Sequence, residues 1–368
     1  MVDVTNRNRH LYQLVADDLK KKILNGHFGD QEKIPNYKEL SSIYEVSMST
    51  IKKAMKILND EDVLVSRVGK GTFANPNYRI TTSDRRVRTN KIGLLVRDLK
   101  GPYFSGIYQG LADQADRHDK KLMITVSRDF YQQEDSLMNM MVSQQVDGLI
   151  LTTRRKSIYG IQIFEQIRDR RIPAVLLHDV YDPVLPVVDV DNYMGGQLAA
   201  EQLLKSSQNK IAVIVGENGY RPDDLRLRGF LDHLTEQGID SSERCHIFRF
   251  SFSSEGTAFD EGFKLGLALD LKTLDVDALF LFNDLIAMGF QKAMDERGIR
   301  IPDDLRMVGF DDIDRCTEAR VPLTTIHVPR YEIGTQAQMI LHDLIQDQTS
   351  GDPVRKLIEP KLVVRESA

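Results

Sequence analysis

The chain has 368 residues, 41% hydrophobic and 28% charged, with a formal net charge of −5, the balance of an ordinary globular protein with room for two or three domains. Its two cysteines, Cys245 and Cys316, lack CxxC spacing. That excludes a disulfide framework and a cysteine zinc site, and no apolar run reaches the ~18 residues of a membrane span. The polar start, Met1 to His10, has no signal-peptide core, so a cytoplasmic protein is expected. The charge is split: residues 1–90 hold 16 Lys and Arg against 11 Asp and Glu, a +5 head that leaves −10 for the rest. Such a head suits a polyanionic partner.

In chain order, Leu11, Leu14, Val15, Leu19 and Ile23 recur at helical spacing, with Lys20, Lys21 and Lys22 off that face and Asn25-Gly26 as the stop. A second helix is expected after Pro35, with Asn36 and Glu39 forming a capping box, running to about Tyr44. After a turn at Glu45-Val46-Ser47, a third helix starts near Ser49 with Ile51, Ala54, Met55 and Leu58 as its apolar face. Two short helices across a tight turn make a helix-turn-helix, whose second helix can enter a major groove. Val63–Val65 and Thr72–Ala74 then read as two strands joined by a basic, glycine-rich tip, Arg67–Gly71.

From Leu11-Tyr12 through Pro35, Glu39-Leu40, Val46-Ser47, Thr50-Ile51 and Gly69-Lys70-Gly71-Thr72-Phe73, this stretch resembles a GntR-type winged helix over nearly its whole length. The resemblance implies DNA contacts from Lys38, Lys52 and Gly69, with Ser47, Met48, Ser49 and Thr50 within reach of phosphates or bases. Two positions depart from the family pattern. Arginine is usual at Met48 and at Lys52; Met48 cannot donate to guanine O6 and N7, and Lys52 is a point charge rather than a fork. DNA binding is expected; the family's usual operator is not.

Residues 76–90 are polar and arginine-rich, including Arg85, Arg86 and Arg88, and read as a linker that cannot fold alone. The expected division is a head at 1–75, a linker at 76–90 and a body at 91–368. From Lys91 buried-strand runs alternate with helical periods: Ile92–Val96, Leu122–Val126, Gly148–Leu151, Ala174–Leu177, Lys210–Val215, His246–Phe250, Ala278–Phe282 and Arg306–Gly309. This alternation predicts an α/β body of two doubly wound subdomains with parallel sheets, in which ligands lie beyond the carboxyl ends of strands. The residues there are polar or aromatic: Arg97-Asp98, Tyr103-Phe104, His178-Asp179, Asp189, Asp191-Asn192, Asn283-Asp284 and Asp311-Asp312, with Arg226 just before a helix. Carboxylates, an amide, an arginine and aromatic faces suit a neutral polyol. Asn283 or Asp284 also reads as a helix cap, and Arg228 competes with Arg226 for the ligand role.

The ordered series "IGLLVRDLKGPYFSGIYQGL", "VDGLIL", "VVDVDNYMGGQLAAEQLL", "RLRGFLDHL", "DALFLFNDLIAMGFQKAMDERGIRIPDDLRMVGFDD" and "PLTTIHVP" is similar to the LacI/GalR repressors and related sugar-binding proteins. That implies two Rossmann-like subdomains joined by three crossovers around a small effector, with Arg226, Asn283 and Asp311 as ligand contacts. Tyr103 and Phe104 would form an aromatic wall, and His178 and Asp179 a contributing strand end. The whole chain resembles the GntR/LacI hybrid regulators. A repressor is expected that binds operator DNA as a homodimer and answers to a pentose, deoxyhexose or derivative, with no metal or cofactor. A periplasmic-type sugar-binding protein and a doubly wound carbohydrate enzyme are the rivals. The first has no use for the head, and the second has no nucleophile–base pair stronger than His178 beside Asp179.

Overall fold

The computed structural model describes residues 11–24, 33–61, 63–67, 71–75, 88–96, 99, 101–127, 131–152, 167, 172–178, 185–205, 207, 209–216, 221–249, 257–346 and 353–368. The chain divides into two compact units, 1–87 and 88–368. Arg97, Asp98, Asp179, Gly69 and most of the segment expected as a linker lie outside the described residues.

The first unit holds α1 (Leu11–Leu24), α2 (Tyr37–Tyr44), α3 (Met48–Asp60), β1 (Leu64–Arg67) and β2 (Gly71–Ala74). The Asn36/Glu39 capping box forms as its spacing predicts: Asn36 Oδ1 accepts from the Lys38 and Glu39 amides, and Glu39 Oε2 accepts from the Asn36 amide at 2.7 Å. Glu45 takes a left-handed conformation (φ 54°) that closes α2, and Ser41 Oγ donates to Val46 O at 2.6 Å. Those two contacts make the tight turn into α3. Ile51, Ala54, Met55 and Leu58 bury one face of α3 against Val15, Leu19 and Ile23 of α1. The wing is the antiparallel pair β1–β2, to which Lys33 adds a bridge opposite Phe73.

The second unit contains two six-stranded sheets. In the first lobe are β3 (Lys91–Val96), α4 (Pro102–Arg117), β4 (Lys121–Val126), α5 (Tyr131–Ser143), β5 (Gly148–Thr152), β6 (Ala174–Leu177) and β7 (Val187–Val190). The second lobe has α6 (Asn192–Leu204), β8 (Lys210–Val215), α7 (Arg221–Glu236), α8 (Ser241–Arg244), β9 (Cys245–Arg249), α9 (Ala258–Ala268), β10 (Val276–Leu281), α10 (Asp284–Glu296), β11 (Arg306–Asp311) and β12 (Thr324–His327). Helix α11 (Arg330–Ile345) packs back on α4, β5, β6 and β7 of the first lobe. Strand β13 (Arg355–Ile358) joins the first sheet beside β7, and β14 (Lys361–Val363) joins the second beside β12. The chain therefore crosses between lobes three times: at Val190–Asn192, at His327–Arg330 and at Ile358–Lys361. The orders are β13-β7-β6-β5-β3-β4 and β14-β12-β11-β10-β8-β9, parallel except where β14 meets β12. Central strands are covered on both faces, so they read as unbroken apolar runs; Ile211 to Val215 are fully buried.

Two expectations change. Helix α7 begins at Arg221, so Arg226 lies on the helix rather than before it. Pro222 near its start, with Asp223 and Asp224 in the first turn, favours that earlier beginning. Strands β13 and β14 were not anticipated, because "RKLI" and "KLV" are short and largely exposed, as edge strands tend to be.

The entry of the chain into the second unit is fixed by a buried carboxylate. Asp147 accepts from the Thr89 and Asn90 amides at 2.7 and 3.1 Å and from Thr89 Oγ1 at 3.1 Å. Lys120 Nζ pairs with it at 2.9 Å, each side chain only 5% exposed, and also donates to Asn90 Oδ1 at 3.0 Å. Arg88 donates to Gln346 Oε1 and Ile345 O at the end of α11. Burial alone would raise the Asp147 carboxyl, but the Lys120 and Thr89 bonds hold it below its ordinary pKa.

Candidate functional site

The strand ends of the two lobes are joined by one chain of contacts. In the first lobe, the ring of Tyr103 lies 5.7 Å from that of His178, and Phe104 stands edge-on to the same imidazole at 5.8 Å. Both aromatics sit in the first turn of α4, which Pro102 opens. His178 follows β6 directly, with φ of 75°, and its Nδ1 lies 3.2 Å from Asp189 Oδ1. With Nδ1 engaged, Nε2 is the nitrogen that can serve a ligand. Asp189 Oδ2 accepts from Asn192 Nδ2 at 3.1 Å across the first crossover. Asn192 Oδ1 in turn accepts from Arg226 Nε at 2.8 Å.

Arg226 anchors the second lobe. Its Nη1 donates to Phe282 O, immediately before Asn283, and its guanidinium lies 3.6 Å over the ring of Phe310, immediately before Asp311. It is only 8% exposed. A guanidinium stacked on an aromatic face with two acceptors in its plane is held in one orientation. Close helix packing places it: a side chain on Gly196 of α6 would collide with the Arg226 carbonyl on α7. Arg228, the competing candidate, has a 74% exposed side chain that pairs with Asp232.

Asp311 ends β11 in a conformation costly for any residue but glycine, φ 116°, and Asp312 follows at φ 55°. Strain of this kind gathers at functional sites. Burial pushes the Asp311 carboxyl well above the usual carboxylate range; Arg226 nearby opposes this, Asp284 adds to it, and Arg330 opposes it too. Asn283 caps α10 through Oδ1, which accepts from the Ile286 amide at 2.9 Å, so its Nδ2 is the group suited to a ligand. Asp284 is a structural group. Fully buried, it accepts from Thr325 Oγ1 at 2.6 Å, from the Ile313 amide and from Cys316 Sγ. Burial raises its carboxyl to about 6.

Tyr103, Phe104, His178, Asn283 and Asp311 therefore stand at element ends, and Arg226, from within α7, reaches the residues next to Asn283 and Asp311. Sequence reasoning noted Asp189 and Asn192 without assigning them the linking role, and it passed over Phe310 and Arg330. The signal for Asp189 was present: a carboxylate inside an apolar strand run needs a partner. Buried charged and amide groups thus stand beside aromatic faces, the kind of lining from which small-molecule sites are built.

In the head, Met48 is 46% exposed and Lys38, Ser47, Ser49 and Lys52 are exposed as well. Ser47 caps α3, its Oγ accepting from the Thr50 amide and lying 2.8 Å from Ser49 Oγ and 2.9 Å from Thr50 Oγ1. The three hydroxyls share one another before any phosphate. Lys53 lies over the Tyr12 ring at 5.6 Å, which ties that lysine to α1.

A winged helix followed by a two-lobed α/β body of this kind is the architecture of a transcriptional regulator with an effector domain. The GntR family model of bacterial regulatory proteins matches residues 11–74, and the periplasmic binding protein-like domain matches residues 200–368. The HTH-type transcriptional repressor CytR of Escherichia coli is 30% identical over 92% of this chain and 97% of its own length. The arabinose metabolism transcriptional repressor of Halalkalibacterium halodurans is 27% identical over 97% of this chain and 96% of its own. A LacI family transcriptional regulator from Enterococcus faecium, solved with bound ribose, superposes with a TM-score of 0.64 at 25% identity, covering 75% of this chain and 98% of that one. The chain belongs to the LacI-type transcriptional repressors, with a GntR-type head in front of the effector domain, and this is a family of regulators rather than of enzymes. Among the described residues no helix is long and apolar enough to cross a membrane.

Proposed function

We propose that the protein is a cytoplasmic repressor of carbohydrate-utilisation genes whose effector is a pentose, a deoxyhexose or a close derivative. The observation that carries this is the continuous chain from His178 through Asp189, Asn192 and Arg226 to the ends of β10 and β11. Arg226, Asn283, Asp311 and His178 offer donors and acceptors to hydroxyls, and Tyr103 and Phe104 offer faces to C–H groups; Asp179 is assigned to the site from the sequence alone. The sugars named with relatives, arabinose and ribose, are of this size. Calorimetry with a pentose and deoxyhexose panel tests it: saturable binding of one member supports the reading, and none across the panel sinks it.

Residues 1–75 serve as the head, 76–90 as the connection and 91–368 as the effector and dimerisation body. Lys38, Ser47, Met48, Ser49, Thr50 and Lys52 form the operator-facing surface, to which Gly69 is added from the sequence alone. Lys52 is exposed on α3, flanking its buried face, and acts on phosphate. Lys52→Ala should weaken operator and non-operator DNA alike and reduce the slope of log affinity against log salt by about 1. A loss confined to one operator sequence would make Lys52 a base reader instead.

We assign the interface of the proposed homodimer to the free edges of the two sheets. β4 and β9 hold equivalent edge positions, and each exposes a large apolar residue, Ile124 at 43% and Ile247 at 44%. An exposed apolar edge calls for cover. Sedimentation of the Ile124→Lys, Ile247→Lys double variant should show a shift from dimer toward monomer; an unchanged dimer would move the interface elsewhere.

A further inference from the structure

Arg330, the first residue of α11, touches both lobes. Its Nη1 donates to Pro102 O at 2.9 Å, at the start of α4 in the first lobe. Its Nη2 donates to Asp312 O at 3.1 Å, just past β11 in the second. The side chain is 14% exposed, while Asp314, 3.5 Å away, is 98% exposed, so that ion pair adds little. The two carbonyls are the contacts that matter.

The backbone of Arg330 moves with the first lobe. A side chain on Gly110 would collide with the Tyr331 carbonyl, and one on Gly334 with the Ile107 carbonyl, so α11 and α4 are in backbone contact. The acceptor on the other side belongs firmly to the second lobe. The Asp312 carboxylate lies between His327 Nδ1 at 2.8 Å and Arg365 Nη2 at 2.7 Å, and its backbone is set by the left-handed turn after β11. A hinge rotation about the three crossovers that separates Pro102 from Asp312 must break one of the two Arg330 bonds.

We propose that Arg330 is an inter-lobe pin, a positioning residue that limits the range of lobe angles the body explores and so sets how far an effector must shift them. An effector moves such an equilibrium only by its differential affinity for the two arrangements; the pin fixes the starting balance. Arginine suits the role because one planar fork reaches two acceptors at a fixed angle, which an ammonium does not. The inference rests on the two-lobed body and on no particular sugar.

The test uses the full chain without added sugar. Spin labels are placed at Arg117→Cys on α4 and Lys292→Cys on α10, both exposed, in a Cys245→Ser background, with the samples spin-diluted. Double electron–electron resonance should give one dominant, narrow distance for the parent, with a minor population of roughly a few per cent, as a second arrangement of somewhat higher free energy leaves. Arg330→Met should broaden it and raise the minor distance population by about tenfold, the scale of one lost charge-assisted bond. Arg330→Lys should fall between. Arg249→Met, which removes a surface pair with Asp224 inside the second lobe, should match the parent. Superimposable distributions for Arg330→Met and parent, with both folded by circular dichroism, would overturn the proposal. If the Met variant does not fold, the Lys variant decides by the same comparison.

Discussion

Arg226→Ala is expected to cost about two orders of magnitude in effector affinity while operator binding without effector stays near that of the parent. The guanidinium is buried, stacked on Phe310 and bonded to Asn192 and Phe282 O. Truncating one member of a buried charged network costs about 2–5 kcal/mol, and each 1.4 kcal/mol is about tenfold. The loss has two parts. The ligand forfeits a directed donor, and the Asp311 carboxyl loses the cation that opposes the effect of its burial, so it is driven further toward the neutral form. Calorimetry on parent and variant with the sugar that binds reads the first part directly. Equal affinity in both would remove Arg226 from the site.

Asp147→Ala should be the most destabilising single change at the entry to the body. It removes the counter-charge of Lys120 in a pocket where both side chains are 5% exposed, leaving that ammonium only its bond to Asn90 Oδ1, and it leaves the Thr89 and Asn90 amides without their acceptor. Breaking a buried pair from one side costs about 3–5 kcal/mol, enough to lower the melting temperature of the body by several degrees. The pH dependence has a defined sign. The carboxyl is held below its ordinary pKa in the folded state, so its contribution is present above the unfolded value, near 3.9, and is lost as pH falls through the folded one. The gap in stability between parent and Asp147→Ala should therefore narrow in acid. A gap that stays constant from pH 7 down to pH 3 would contradict the pairing. Thermal melts across that range make the measurement.

Much of the fold was legible because local chemistry and tertiary packing agree. Asn36 and Glu39 cap α2 from their spacing alone, and the buried strands announce themselves as apolar runs. The candidate site was legible where a polar residue closes a strand, as at His178, Asn283 and Asp311. It was not legible where function depends on contact between distant segments. Asp147-Gly148 looks like a turn before a strand, and nothing near it points to Thr89, 58 residues earlier. Arg330 looks like an exposed helix start, and its partner Pro102 is 228 residues away. Arg226 was recovered as a residue but misplaced by a helical turn, because the Pro222 start of α7 is a weaker mark than a capping side chain.

The three crossovers also govern the order in which the molecule can be made. Strand β13 completes the first sheet and β14 the second, and Ser367 Oγ accepts from the Thr324 amide and donates to Met307 O at 2.7 Å. Neither lobe is finished until residues 355–368 have left the ribosome, whereas the head, with its own buried cluster, is complete after about residue 75. Synthesis is vectorial and domains fold as units. A reading module thus precedes the part that restrains it, and an early stop codon in the body would release a head with no means of answering to an effector.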